Sequence, residues 1–135
     1  MAFEKPLLMH GFKAASDMSA ASQQFILVKL DTSGNVHPCT AIGDIPIGVL
    51  QNRPERDQTA DVMLAGVTKI RAGATDLAVA ALISVDATSR AAAYVAGTTG
   101  TSSYLVGKVI AVDAADNDAA LVTATINCLS AGRGQ

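Results

Sequence analysis

The sequence is short of the side chains that most catalytic and ligand-binding sites are built from. Its 135 residues include no Trp, two His and two Cys, and aromatics make up only 4%. With so few rings there is little to stack on sugars or bases. The longest purely apolar run, Leu77 to Ile83, is far below the roughly 20 residues a membrane-spanning helix needs. Glu4, Lys5 and Pro6 break the N-terminus where a signal peptide would keep an apolar stretch, so no export signal is expected. Lys and Arg total 10 against 12 Asp and Glu, a net charge of −2, and the basic residues are scattered. No basic stripe interleaved with aromatics exists, so neither nucleic acid nor membrane is expected as a partner. Cys39 and Cys128 lie far apart in sequence and read as reduced thiols of a protein made in a cytosol, not as a disulfide.

What is present is apolar content without bulk. Half of the residues are hydrophobic, and many of them are alanine. At about 25 cal/mol per Å² of buried apolar surface, an Ala/Val core is thin, and such domains are often helped by association. From Ile47 to Arg90 short strand-like runs are cut by turns, with no residue placed for chemistry. That pattern suggests a protein that works through its surface.

The length fits one domain. Residues 1–24 differ in texture from the rest, with Pro6, Gly11 and the small polar string 16–24. They are expected to form an extended N-terminal arm, with at most a short helical turn capped by Ser16. Phe25 to Leu30 is the first strand, followed by a turn at Asp31-Thr32-Ser33-Gly34. Asn35 to Ile42 is a second strand that Pro38 confines to an edge or bulge. Ile45 to Leu50 is a third. Val62–Leu64 and Val67–Arg71 are strands separated by a bend at Ala65-Gly66. Leu77 to Val85 suits helix and strand about equally, and Ala91 to Val95 is a short strand. A last hairpin joins Tyr104–Val112 to Ala119–Leu129, with the Val122, Ala124, Ile126 and Cys128 set inward. The expected fold is mainly β, a small β-barrel or β-sandwich (β-tulip-like) over residues 25–129, with little helix and a loose tail at 130–135.

Candidate reactive groups are sparse. His37 and Cys39 share a face of one strand, but no further ligand pattern accompanies them, and structural zinc takes about four ligands. Asp113, Asp116 and Asp118 lack the EF-hand spacing and are ordinary hairpin-tip residues. No phosphate loop, dinucleotide fingerprint or nucleophile elbow occurs, and nothing nominates a Ser-His-Asp triad. No enzyme activity, metal or cofactor is expected. The charged loop Asn52–Gln58 reads either as a self-compensating hairpin tip or as an ionic contact with a partner.

Several pieces taken together resemble the capsid cement, or head decoration, proteins of tailed bacteriophages. They are Ser16-Asp17-Met18-Ser19, Gln24 to Asp31, Gly34-Asn35-Val36, Ile47 to Pro54, Val67-Thr68-Lys69-Ile70, Ala72-Gly73-Ala74, Ser84 to Thr88 and Val106 to Ile110, with the acidic final hairpin. The resemblance covers about residues 16–129. The chain departs from it at Ser89, where the family often has glycine, and near Ala80-Ala81, where it often has Gly-Asp.

The resemblance implies a structural virion protein made in the host cytoplasm. It would sit on the capsid exterior as a homotrimer and cement neighbouring copies of the major capsid protein. Phe3, Leu7, Leu8, Met9 and Phe12 of the arm, with Arg53 and Arg56 of the charged loop, are the candidate contact residues. The competing expectation is a β-sandwich module that attaches a particle to glycans or a host surface.

Overall fold

The computed structural model describes residues 5–73, 77–94, 104–112, 121–128 and 132–133. Its described regular structure is β throughout, apart from one 3-10 turn at Ala21–Gln23. The strands in chain order are β1 (Lys5–Lys13), β2 (Leu27–Leu30), β3 (Val36–Pro38), β4 (Gly48–Leu50) and β5 (Thr59–Arg71). They continue with β6 (Leu82–Val85), β7 (Ala91–Ala93), β8 (Tyr104–Leu105), β9 (Gly107–Val112), β10 (Leu121–Asn127) and β11 (Gly132–Arg133). One antiparallel sheet runs β3-β2-β4-β5-β10-β9-β6-β7, with β1 also on β5, and β8 pairs separately with β11. The mainly-β, barrel-like architecture expected from the sequence is the one observed.

β5 organises the sheet. The segment expected as two strands is one 13-residue strand that bends at Gly66, whose φ of 134° suits glycine. Its N-terminal half pairs with β4 through Val62 and Met63, and its C-terminal half pairs with β10 from Ala65 to Arg71. β1 covers Thr59 to Val67, overlapping both partners, so it must occupy the opposite edge of β5. The register of β1 slips between Pro6 and Leu8 and again between Leu8 and Met9, facing the bend. Leu7 and Leu64 therefore have no partner in the β1–β5 ladder, and the Leu64 carbonyl instead accepts from Cys128 N at 2.9 Å.

The sheet curls until its two ends meet. The N–H of Leu27 donates to the Ser89 carbonyl at 2.8 Å, and the N–H of Gly73 donates to the Ala91 carbonyl at 2.7 Å. The Ser89 hydroxyl donates to the carbonyl of Cys39. The concave side encloses a core that includes Leu27, Val49, Met63, Ile70, Ile83, Val109 and Val122. A second cluster, with Ile26, Val28, Val36, Leu50, Ala60 and Val62, lies on the other face. Adjacent β5 residues feed the two clusters alternately (Val62 to one, Met63 to the other), as the two-residue period of a strand requires.

Several expectations are corrected here. Residues 5–24 do not stand off the fold as an arm. β1 is bonded to β5, and Ala14 and Met18 are fully buried in the second cluster. The poor periodicity of this segment reflects a bulged edge strand followed by a strap with only two inward side chains. The helical turn lies at Ala21–Gln23, not at Ser16, and its cap, Ala20, makes no side-chain hydrogen bond. The strand expected from Phe25 is β2 and starts at Leu27, because Phe25 takes a left-handed φ of 66°. β3 ends at Pro38, at one end of the sheet order, and Leu77–Ala81 precedes β6 as turn and loop. The turn of the last hairpin, with Asp113, Asp116 and Asp118, lies outside the described residues. Of the tail, Gly132 and Arg133 pair with Leu105 and Tyr104.

Candidate interaction surface

Among the described residues the most exposed large apolar side chain is Leu7, at 81%, and its neighbours Leu8 and Met9 are each 42% exposed. The bulge in β1 explains this: Leu7 has no partner on β5 to lie over. Further along, Phe12 packs against the second cluster, and its ring meets His10 edge-on at 4.7 Å between centroids. Of the five expected arm contacts, Leu7, Leu8 and Met9 thus form a solvent-facing strip. Phe12 turns partly inward, and Phe3 lies outside the described residues.

The charged loop is joined to the strap that follows β1. The N–H of Ala14 donates to Gln58, that of Asp57 to Ala14, and that of Met18 to Pro54, at 2.8–2.9 Å. Lys13 Nζ lies 3.3 Å from Asp57. Arg53 Nε donates to the Ser19 carbonyl at 2.8 Å. Arg56 sits close enough to Asp17 to help lower the carboxyl's pKa, after the larger effect of hydrogen bonds from Ser19. The two sequence candidates, arm and loop, are therefore neighbours, and Arg53 already holds the strap.

A second gripping contact comes from β5. Arg71 donates from Nε to the Gln24 carbonyl at 2.8 Å and from Nη2 to Ala21 at 2.7 Å. Gln24 in turn donates to the Gln51 carbonyl at 2.9 Å. The strap over the second cluster is thus held from both sides by guanidinium-to-carbonyl bonds, which are charge-assisted.

Sequence reasoning missed another apolar patch. Leu30, Ile42 and Ile45 are 41%, 46% and 56% exposed. Leu30 and Ile45 flank an open groove of about 560 Å³ that also takes in Lys29, Asp31, His37 and Asp44. Its loop is organised by Asp44, whose Oδ2 accepts from Lys29 Nζ, Thr40 N and Ala41 N at 2.8–3.0 Å. Burial pushes this carboxyl up, but the bonds from Lys29 and the two amides outweigh it and hold it below the usual range. The available signal was a pair of isoleucines flanking Gly43-Asp44, apolar residues placed where a turn keeps them outside.

The described residues hold no cluster of metal-ligating side chains, and Asp113, Asp116 and Asp118 lie outside them. Cys39 is buried and His37 half-buried. Both cysteines are free, and burial pushes each thiol up to about 12. No helix among the described residues is long and apolar enough to cross a membrane.

No family model matches the chain, and no curated protein matches it. Among solved structures the fold is similar to the head fiber gp8.5 N base of bacteriophage phi29. The TM-score is 0.62 at 14% identity, over 90% of this chain and 94% of that one. At that identity the likeness establishes a shared fold, spanning nearly the whole of both chains.

Proposed function

We infer that the chain is a structural protein of a phage virion, carried on the outside of the head. The observation that carries this reading is the fold it shares with the phi29 head fiber base, end to end. The exposed Leu7–Met9 strip supports it, because a contiguous apolar edge on a small domain marks a contact surface. The resemblance to capsid cement proteins adds the finer reading. Made in the host cytoplasm, the protein would sit as a homotrimer against the major capsid protein and bridge neighbouring subunits. Separating those subunits would then require its contacts to break as well.

The test is direct. The protein should be present in purified virions at a copy number near that of a regular lattice component. Added to heads that lack it, it should co-sediment with them. Absence from virions together with failure to bind heads would overturn the reading.

A further inference from the structure

β1 is the longest strand edge that the described chain leaves uncovered. This nine-residue strand pairs only with β5, with Leu7 bulged out of the ladder. Among the described residues, no backbone hydrogen bond outside that pairing involves residues 6–12. The two ends of the sheet order are covered by the chain itself. Ala15 donates to Val36 on β3, and Gly73 donates to Ala91 on β7. An open, apolar edge of this length is a template for one more strand, since its outward N–H and C=O groups have no partner among the described residues.

We propose that the outer edge of β1 takes an extended, apolar segment with acidic ends from a different protein. Two observations select this occupant. In antiparallel self-pairing centred on Met9, Lys5 of one copy would face Lys13 of the other, and β1 has no acidic residue to answer either. Asp57 neutralises part of Lys13 from the inner side at 3.3 Å, but that pair is exposed and screened. A heterologous contact between copies would need a second long free edge, and β3 and β7 are three residues each and partly covered. A strand from another protein meets neither obstacle, and acidic ends give it the complementary charge. The inference names the chemistry of the partner and rests on the virion reading only for where that partner resides.

The test uses the full chain and a synthetic nine-residue peptide of alternating Val and Thr with Glu at both ends. Hydrogen exchange should slow by about tenfold or more on the outward amides of β1 at saturating peptide. The same peptide N-methylated on alternate amides should lose binding, and a Lys-ended version should bind about tenfold more weakly. Leu7→Asp should weaken binding while leaving the fold intact, because Leu7 has no partner on β5. Absent protection of β1, or equal binding of the N-methylated peptide, would overturn the proposal. So would a dimer of the chain alone with β1 protected, which would make a second copy the occupant. Heads bound with β1 unprotected would remove this inference and keep the virion reading. Peptide bound with heads ignored would do the reverse.

Discussion

The hydroxyl of Ser89 donates to the carbonyl of Cys39 across fifty residues, and this contact helps draw the curled sheet together. Ser89 also accepts from Leu27 N at 2.8 Å, so one residue of the β6–β7 turn binds both the start of β2 and the end of β3. It does so at a φ of 68°, in the left-handed region where a Cβ is disfavoured by about 1–2 kcal/mol. Asp86 sets up the turn by accepting at Oδ1 from Thr88 N and Arg90 N, at 2.7 and 3.0 Å. Ser89→Ala keeps the strain and loses the bond, so it should cost about 1–3 kcal/mol. Ser89→Gly loses the same bond but relieves the strain, and should come out about 1 kcal/mol more stable than the alanine variant. Urea unfolding of the two variants side by side checks the order; alanine equal to or better than glycine would remove strain from the account.

Ala80 offers a cleaner version of the same test. Its φ is 73°, it is exposed, and its N–H donates to Val109 at 2.8 Å, a bond that glycine keeps. Ala80→Gly should stabilise the protein by roughly 0.5 kcal/mol, the relief of strain less the extra entropy of an unfolded glycine. A loss of stability would mean that the left-handed geometry carries no strain here.

These two residues show what could be read from sequence and what could not. Ser89 and Ala80-Ala81 are where the chain departs from the glycine-containing pattern it resembles, and there the backbone adopts conformations that glycine favours. The β class and the bend at Gly66 were legible, because alternation and punctuating glycines are local signals. The Asp31–Gly34 turn was legible for the same reason: Asp31 accepts from Ser33 and Asn35, and Gly34 has a φ of 81°. The role of residues 5–24 was not legible. β1 finds its partner about fifty positions away, and the strap is held by Arg53 and Arg71, whose carbonyl partners have no sequence signature. The groove beside Ile45 was missed because exposure of an isoleucine depends on which face the tertiary fold covers.

The strap should matter to folding. Met18 is fully buried in the second cluster, so Met18→Ala should cost about 2–5 kcal/mol. Deleting residues 2–15 removes β1 and Ala14 together and should leave a chain without a cooperative thermal transition. Leu7→Ser, by contrast, should change stability by less than about 0.5 kcal/mol. Differential scanning calorimetry separates the three, and a truncated chain that melts like the intact one would return residues 2–15 to the status of an arm.

The thiols give a readout of the closed core. Cys39 and Cys128 are pushed up to about 12 by burial, so the folded state favours the protonated form. Their contribution to stability is intact below the unfolded thiol pKa of about 8.5 and erodes as pH rises from there toward 12. In native protein at pH 8 the buried Cys39 should react with a thiol reagent only through opening and the half-buried Cys128 sooner, and both should react at once in denaturant. Asp44 works at the other end of the scale. Its folded pKa is depressed, so its contribution is present above the unfolded value of about 3.9 and is lost as pH falls through the folded value. Asp44→Asn should therefore flatten the acid limb of a stability profile and leave the alkaline limb unchanged.

The last expectation concerns the particle. A protein that binds the assembled shell, and not its separated parts, stabilises the shell by mass action, about 2.7 kcal/mol per site at a hundredfold excess over Kd. Many such sites acting together would resist rupture by the packed genome even if each contact were modest. Heads with and without this protein should release DNA at different temperatures, the decorated heads at the higher one. Leu7→Asp, placed in the exposed strip and away from the core, should shift decorated heads toward the undecorated temperature while the free protein melts as before. If decorated and undecorated heads release DNA together, the protein attaches to the head without bridging its subunits. The exposed strip would then serve anchorage and not cementing.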